Sequence, residues 1–384
     1  LPTVEALITE ASNKYEPSIL ETAGQYIAAG IMPETAVDRL IEAASKTSGG
    51  NKRSLRKELN KATPSAARIR CSDSTLAGNG LQQWPEYQDT TINSRGELVN
   101  LNTIPNVQAV LDAMGVSLRL NEMTFNIEFS GSNVQDADFD IAIARIRSAA
   151  EATKFSKPAL QDYIPAIADS NQYHPVRDLL TSLQWDGKDH LGFVSDSLES
   201  DMDATMKRTL IMRWAVGAVQ SVLRTVPEAQ QGMLVLQGAQ QAGKTTFFSE
   251  LFSVGIPGAF QTSVKIDPTN KDSLLQIMRH WCIEEGELDA TTSKRETGDL
   301  KSFITNAVDE LRRPYMRAIE QFPRRTCICA TVNPTEFLVD QTGNRRFWTI
   351  PVTGIRRLSA NGFDPLQFWA QIVVLFQAGE NHSL

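Results

Sequence analysis

The feature that most constrains this chain is a glycine-bracketed loop between a short apolar run and a helix-like segment. Met233 to Gln237 are apolar enough for a buried strand, and Gly238 to Thr245 follow at once as G-x-x-x-x-G-K-T. The next residues place Phe247 and Leu251 at helical spacing. Glycine at both ends of such a loop lets backbone N–H groups wrap a polyphosphate at close range. The stretch therefore predicts a strand, a phosphate-binding loop and a helix in that order.

Each position of the loop has a predicted role toward ATP and Mg²⁺, the two predicted cofactors. The helix begins near Gly243 and directs its positive terminus at the phosphates. Lys244 is expected to reach the β- and γ-phosphates, and the Thr245 hydroxyl to bind Mg²⁺. A chance match of the motif is the alternative, and the flanking strand and helix patterns argue against it. The predicted nucleotide-binding residues are Gly238, Ala239, Gln240, Gln241, Ala242, Gly243, Lys244, Thr245 and Thr246.

Acidic residues follow a second apolar run downstream of the loop. Trp281 to Ile283 predict a short strand, and Glu284, Glu285 and Glu287 come directly after it. A nucleotide hydrolase of this kind needs one carboxylate at a strand tip to hold Mg²⁺ and a second to activate water. Two of these acids meet that need, one to hold the metal with Thr245 and one to activate water. An exposed acidic loop is the alternative interpretation.

A basic segment follows the helix predicted over Gly298 to Leu311. Pro314 and Pro323 bracket a possible β-hairpin, in which Tyr315 and Phe322 alternate with basic residues. Basic residues interleaved with aromatics attract a phosphate backbone with stackable bases. Contact with the nucleotide of a neighbouring subunit and a merely solvated basic loop stay open as alternatives. The predicted DNA-binding residues are Arg312, Arg313, Arg317, Arg324 and Arg325.

Two further polar groups flank the predicted strands after this segment. The run Thr326 to Val332 predicts a strand that ends at Asn333, whose amide is expected to contact the γ-phosphate and the attacking water. Arg345 and Arg346 directly precede a last predicted strand. A guanidinium there is expected to stabilise phosphate charge during hydrolysis, as an arginine finger does.

The rest of the chain divides into a predicted series of regions. Residues 1–80 form a helical N-terminal region with a basic linker, and 81–172 form a small mixed α/β accessory domain. Residues 173–230 form a helical subdomain that leads into the catalytic core of 231–384. Within that subdomain, Met206 to Val222 predict an apolar helix that packs beneath the sheet. The basic segment Lys52 to Lys61 is interpreted as a solvated helix face, with an arm that contacts nucleic acid as the alternative, and no catalytic role is predicted for residues 1–172.

Composition narrows the functional classes. The net charge of −7 excludes a surface that is basic all over, although a cleft lined with arginine is still compatible with it. The chain has no apolar run long enough for a membrane span, and its four cysteines have neither zinc spacing nor disulfide density. We therefore expect a cytoplasmic protein without a membrane partner. The chain starts without methionine and stops just after a helical pattern, so we expect a fragment of a longer protein.

These motifs together resemble the virulence-associated protein E family, the helicase-like ATPases of phages and mobile islands. The resemblance covers roughly Tyr173 to Gly379 and includes WDGKDHLGF, GAQQAGKT, WCIEEGEL, RRPY, ATVNPTEF and GNRRFW. That family is similar in turn to the superfamily-three DNA helicases, which are hexameric rings. The chain departs from the family pattern in one respect. Glu284 and Glu285 stand where the family more commonly has a different acidic pair, and the residue that resembles the second acid of the family is Glu287.

The resemblance implies a fold and a function. The fold is an α/β P-loop NTPase of the AAA+ type, with a parallel central sheet in a three-layer core and a helical or mixed N-terminal region before it. Lys244 and Thr245 are the implied Walker A pair, and Asn333 is the implied sensor. Glu284 is the implied Walker B acid that would hold the metal with Thr245, and either Glu285 or Glu287 would activate water. Arg345 or Arg346 would act on a neighbour's nucleotide, and the hairpin with Arg312 to Arg325 would enter the ring channel.

The expected activity is ATP- and Mg²⁺-dependent movement along single-stranded or forked DNA in phage or mobile-element replication. The chain is expected to assemble into a homo-oligomer, a hexameric ring. A primase domain or a primase partner is also expected. One alternative is a replication or defence factor that binds DNA and uses ATP only as an assembly switch. A small-molecule kinase on the same loop is a second alternative, although the sequence marks neither an acceptor pocket nor a lid.

Overall fold

The computed structural model describes residues 3–28, 31–62, 80–131, 134, 138–155, 158–286, 294–313, 318–333 and 344–383. They form two compact units. The first comprises Leu1–Ser117 with Phe129–Tyr163, and the second Leu118–Glu128 with Ile164–Leu384. No helix among these described residues is long and apolar enough to cross a membrane.

The first unit opens with four amphipathic helices around one apolar core. Their bounds are α1 (Val4–Asn13), α2 (Pro17–Ala28), α3 (Glu34–Ser48) and α4 (Lys52–Ala62). The helices bury apolar side chains that recur at helical spacing, such as Leu7, Leu40 and Leu59. The basic segment expected as a linker is thus helix α4, because its Leu55 and Leu59 pack into this core.

The remainder of the first unit is mixed. It contains β1 (Thr90–Ile92), β2 (Leu98–Asn100), α5 (Ile104–Met114) and α6 (Phe139–Ala152). Helix α5 ends at Gly115, which adopts φ 64°, a left-handed conformation that glycine accepts without strain. The strands β3 (Ser117–Asn121) and β4 (Ile127–Ser130) include residues of both units.

The second unit contains the predicted core. Its helices are α7 (Leu160–Asp169), which begins in the first unit, α8 (Pro175–Ser182), α9 (His190–Ser197), α10 (Ala204–Leu223), α11 (Lys244–Leu251), α12 (Lys271–Met278), α13 (Lys294–Ile304) and α14 (Pro365–Gln377). Its strands are β5 (Gln172–Tyr173), β6 (Leu198–Glu199), β7 (Met233–Gln237), β8 (Phe260–Val264), β9 (Cys282–Glu285), β10 (Val308–Leu311), β11 (Glu320–Pro323), β12 (Cys327–Val332), β13 (Phe347–Pro351) and β14 (Gly354–Ile355).

A five-stranded parallel sheet organises this unit. The strand order is β13-β7-β12-β9-β8, and every neighbouring pair is parallel. All five strands therefore end at the same edge of the sheet. We call this the loop edge, because the glycine-bracketed loop Gly238–Thr245 follows β7 there, and we call the other the opposite edge.

Helices cover both faces of the sheet, which gives three layers. On one face α10, α11 and α14 pack against side chains such as Leu234, Leu236 and Cys329. On the other face α12 and α13 pack against Val235, Ile283 and their neighbours. The predicted apolar helix is α10, and the indole Nε1 of its Trp214 donates to the backbone oxygen of Ile328 in β12 at 2.9 Å. Its position beneath the sheet is therefore confirmed.

One predicted element differs from the structure. The helix expected over Gly298 to Leu311 ends at Ile304, and β10 then pairs antiparallel with β11, with Val308 opposite Pro323. Val308 and Leu311 fit a helical period as well as a strand, so local spacing does not separate the two. The pairing with β11 decides in favour of a strand, and the hairpin starts earlier than the flanking prolines suggested.

Candidate functional site

The glycine-bracketed loop leaves β7 with a glycine at each end, where the backbone conformation or the packing favours glycine. Gly243 begins α11 with φ 88°, in the left-handed region. At Gly238 a β-carbon would lie 2.5 Å from the backbone oxygen of Val352, so only glycine fits. The N-terminus of α11 therefore points to the loop edge, where its free backbone N–H groups favour an anion.

Lys244 lies inside this loop. Its Nζ donates to the backbone oxygens of Gly238 at 2.7 Å and Ala239 at 2.8 Å, and the side chain is buried. These bonds hold the ammonium group over the loop, close to the N-terminus of α11. The sequence predicted this position for Lys244 as the group that meets phosphate oxygens.

Glu284 connects the loop to the two strands beside it. Its Oε1 accepts from the hydroxyl of Thr245 at 2.6 Å and from the hydroxyl of Thr331 at 2.8 Å. Thr245 belongs to α11, Glu284 to β9 and Thr331 to β12. The hydroxyl and the carboxyl that were predicted to share a metal are thus in direct contact. Sequence reasoning missed Thr331, although it lies on the same face of β12 as Cys329, which pairs with Glu284.

The second carboxyl oxygen of Glu284 makes this pair suitable for a divalent cation. Oε2 is buried and has no hydrogen-bond partner among the described residues. A buried oxygen without a partner is costly, and hard cations such as Mg²⁺ prefer oxygen ligands. The residues present therefore fit Mg²⁺, with Glu284 and Thr245 as the groups that would hold it.

Glu285 lies in a different environment from Glu284. Successive side chains of a strand point to opposite faces, so Glu285 faces away from Thr245. It is buried, and its Oε2 accepts from the backbone N–H of Ile266 at 3.0 Å. This bond ties β9 to the segment after β8. The other candidate for the water-activating acid, Glu287, lies outside the described residues.

Asn333 directly follows β12 at the loop edge. The backbone N–H of Gly238 donates to the oxygen of Val332 at 3.1 Å, so the residue after Val332 is adjacent to the start of the loop. Asn333 is exposed. The structure therefore brings together the loop, Glu284 and Asn333, as the sequence predicted for three neighbouring strand ends.

Arg345 and Arg346 lie at the opposite edge. They form a short 3-10 turn directly before β13, and Phe347 pairs with Met233, the first residue of β7. The five residues of β7 separate this level from the loop, which is about 16 Å at 3.3 Å per residue. Neither arginine reaches the loop of its own chain. Arg345 is exposed, whereas Arg346 is half-buried and its Nε has no partner among the described residues.

The hairpin arginines differ in how far their charges are already used. Arg312 is exposed, whereas Arg313 pairs with Asp169 and Glu320. Arg325 is half-buried, and its Nη1 donates to the oxygen of Val222 at 2.9 Å. Burial and the nearby Arg177 lower the pKa of the Arg325 guanidinium. Arg317 lies outside the described residues.

Arg324 requires a correction, because its guanidinium is buried inside the unit. It pairs with the buried Asp309 of β10, with Nε 2.7 Å from Oδ2, and it lies 3.8 Å from the centre of the Phe303 ring. A side chain held in this way does not face a DNA backbone. We therefore omit Arg324 from the proposed DNA contacts and assign it the role of fixing the hairpin to α13.

This role predicts a large loss of stability when Arg324 is replaced. Arg324→Ala leaves the Asp309 carboxyl buried without its partner, which is expected to lower the free energy of unfolding by about 3–5 kcal/mol. Urea denaturation followed by circular dichroism measures the change. The matched variant Arg312→Ala, at an exposed arginine of the same hairpin, is expected to stay within about 0.5 kcal/mol of the wild type. Equal effects of the two substitutions would contradict the structural role.

Comparisons with known proteins point to one family. The virulence-associated protein E-like domain matches residues 180–384. No curated protein matches the chain. Two similar solved structures are apo structures of the NrS-1 C-terminal region, one of them in its A form. Their sequence identities to this chain are 15% and, for the A form, 13%, with TM-scores of 0.42 and 0.41. Each match covers 71% of this chain and 66% of the solved chain. Because the domain match spans more than half of the sequence, the chain belongs to the virulence-associated protein E-like family.

Proposed function

We propose that this chain is an ATP- and Mg²⁺-dependent ATPase that moves along single-stranded DNA during replication of a phage or mobile element. The observation that carries the proposal is the hydrogen-bonded group of Thr245, Glu284 and Thr331 beside Lys244. The order of the strands supports an AAA+-like P-loop fold, because the strand before the loop lies between the last strand and the strand that ends at Asn333.

The residues at the loop edge divide the work of hydrolysis. The backbone N–H groups of the loop and Lys244 bind and orient the phosphates of ATP, and Thr245 and Glu284 hold Mg²⁺. Mg²⁺, when bound, neutralises charge on the phosphate oxygens. Asn333 positions the attacking water, and Glu285 or Glu287 accepts its proton. Low exposure of Lys244 and Glu284 keeps bulk water from weakening these interactions.

An assembly completes the site in this proposal. Arg345 lies too far from its own loop, so a neighbouring copy has to supply it, and a homo-oligomeric ring allows every copy to do so. Hairpin β10–β11 directly precedes β12, whose other end is at the nucleotide. DNA contact by Arg312, together with Arg313 and Arg325, would then be linked to the nucleotide through one strand.

The proposal predicts that single-stranded DNA stimulates ATP turnover. Steady-state hydrolysis with Mg²⁺ at low salt is expected to rise on addition of oligo(dT). Arg312→Ala is expected to lower the slope of log affinity against log salt by about 0.7, which is the value for one lost contact to a single-strand phosphate. Arg95→Ala, at an exposed arginine of the first unit, is the matched control. Turnover that ignores DNA at low salt would contradict the motor function.

Protein partners of the hairpin arginines favour a second candidate function. Arg313, Arg324 and Arg325 already have protein partners, which leaves less free charge for movement along a strand. A factor that binds DNA and uses ATP only to assemble would need fewer such contacts. Strand displacement separates the two candidates, since only the motor unwinds a forked duplex while it hydrolyses ATP.

A further inference from the structure

Thr331 of β12 makes a contact at the candidate site to which the function proposed above assigns no role. Its hydroxyl donates to Glu284 Oε1 at 2.8 Å, and the hydroxyl of Thr245 donates to the same oxygen at 2.6 Å. The other oxygen, Oε2, is buried and has no partner among the described residues. The two oxygens of this one carboxyl group are therefore in unequal states.

The acceptor sites of the two oxygens can be counted. Each oxygen of a carboxylate has two lone pairs. At Glu284 Oε1 the two threonine hydroxyls use both of them. At Oε2 the lone pairs have no donor from the part of the chain that the structure describes, and a buried acceptor without a partner is costly. A cation that binds this carboxyl group is thus left with one oxygen, Oε2.

The sheet fixes the direction of the Thr331 hydroxyl. Strand β12 is paired on both sides, with Thr331 opposite Leu236 of β7 and Ala330 opposite Glu285 of β9. A β-branched side chain has few rotamers on a fixed backbone. Thr245, in contrast, belongs to helix α11, which starts at the loop. The contact from Thr331 therefore orients the carboxyl group independently of the loop.

A carboxyl group that offers one oxygen suits Mg²⁺ better than Ca²⁺. Mg²⁺ requires a nearly ideal octahedron of oxygens, whereas Ca²⁺ accepts about six to eight oxygens in flexible geometry and takes carboxylates through one or both oxygens. The two oxygens of one carboxyl group lie too close together to fill two corners of an octahedron. Occupation of Oε1 by hydroxyl donors therefore blocks a binding mode that is open to Ca²⁺ and closed to Mg²⁺.

We propose that Thr331 is a positioning residue that makes this site selective for Mg²⁺ over Ca²⁺. It acts through Glu284, because its hydroxyl turns the carboxyl group so that Oε2 alone meets the cation and closes Oε1 to a second bond with the metal. This inference deepens the proposed function and rests on it, since it requires that the loop edge binds a divalent cation together with the nucleotide.

The test measures metal binding directly, with Mn²⁺ as the probe. Mn²⁺ prefers the same octahedral oxygen ligands as Mg²⁺, and its electron paramagnetic resonance signal falls when it binds. The full chain with equimolar ADP is expected to bind Mn²⁺ beyond a blank of ADP alone, and Ca²⁺ is expected to displace it only in excess.

Thr331→Val keeps the shape of the side chain and removes the hydroxyl. It is expected to weaken Mn²⁺ binding by about 10- to 100-fold, the usual cost of losing a hydrogen bond that orients a metal ligand. The excess of Ca²⁺ that displaces half of the Mn²⁺ is expected to fall at the same time, because one acceptor site on Oε1 becomes free. Thr331→Ala also lacks the hydroxyl and takes the place of Thr331→Val if that variant does not fold.

Two further variants separate positioning from packing. Thr331→Ser keeps the hydroxyl and is expected to restore most of the affinity and the selectivity. Thr326 lies directly before β12 at the opposite edge, and its buried hydroxyl donates to the backbone oxygens of His280 at 2.7 Å and Ile277 at 3.2 Å. Thr326→Val is expected to lower the melting temperature and to leave Mn²⁺ binding and Ca²⁺ competition unchanged.

The outcomes distinguish this inference from the proposed function. A folded Thr331→Val protein that binds Mn²⁺ and excludes Ca²⁺ as the wild type does would overturn the role of Thr331 and leave the nucleotide site intact. Equal weakening of Mn²⁺ and Ca²⁺ binding would refute the selectivity, and an equal effect of Thr326→Val would refute the positioning. A wild type that binds no Mn²⁺ beyond the ADP blank would contradict the metal site of the proposed function itself.

Discussion

Lys244→Ala is expected to lower ATP turnover by about 10²- to 10³-fold, the cost of removing one preorganised charge donor from a site of this kind. The ammonium group of Lys244 is buried over the glycine-bracketed loop, and alanine supplies no charge in its place. Release of phosphate at saturating ATP and Mg²⁺ measures the loss. Binding of a fluorescent ATP analogue separates weaker binding from slower chemistry.

The control for this variant is a lysine of the same unit that has no predicted role. Lys271 is exposed at the start of α12, and Lys271→Ala is expected to leave turnover within twofold of the wild type. Thermal melting of Lys244→Ala shows whether the loss of its bonds to Gly238 and Ala239 disturbs the loop. A folded Lys244→Ala protein with normal turnover would refute the nucleotide site.

Arg345→Ala is expected to lower turnover by about 10³- to 10⁵-fold with little change in nucleotide affinity, as removal of an arginine finger does. The side chain is exposed at the opposite edge of the sheet, where a neighbouring copy can meet it. The indole of Trp348 donates to the backbone oxygen of Arg345 at 2.9 Å, so the turn keeps its shape when the side chain is shortened. Arg346→Ala, at a half-buried arginine, is expected to lower turnover less than Arg345→Ala does and to lower the free energy of unfolding more.

Mixing variants tests whether Arg345 acts between copies. Lys244→Ala supplies an intact arginine and a defective loop, and Arg345→Ala supplies the reverse. A mixture is expected to recover part of the activity that neither protein has alone, because one kind of interface then contains both groups. A mixture that stays inactive, although both proteins assemble together by light scattering, would contradict action between copies.

Local sequence order was enough to predict the elements around the loop. Met233 to Gln237, the glycines and the following helix are consecutive, so their arrangement depends on short-range geometry. Glu284 and Asn333 were also predictable, because residues at the ends of parallel strands meet at one edge. The contact between Thr245 and Glu284 has this origin.

Features that depend on distant pairing could not be predicted in the same way. Asp309 and Arg324 lie on opposite sides of the hairpin, and only their pairing shows that the arginine is buried rather than presented to DNA. Thr331 resembles any threonine of a strand until the register between β12 and β9 places it beside Glu284.

The pairing of strand β12 on both sides limits how force would pass through the protein. It is hydrogen-bonded to β7 on one side and to β9 on the other, with buried side chains on both faces. Sliding it by one residue would turn every side chain to the wrong face, so the strand cannot act as a piston. A hairpin attached to it would therefore not be driven by sliding of β12 within the sheet. Any power stroke would have to arise as rotation of one copy against the next.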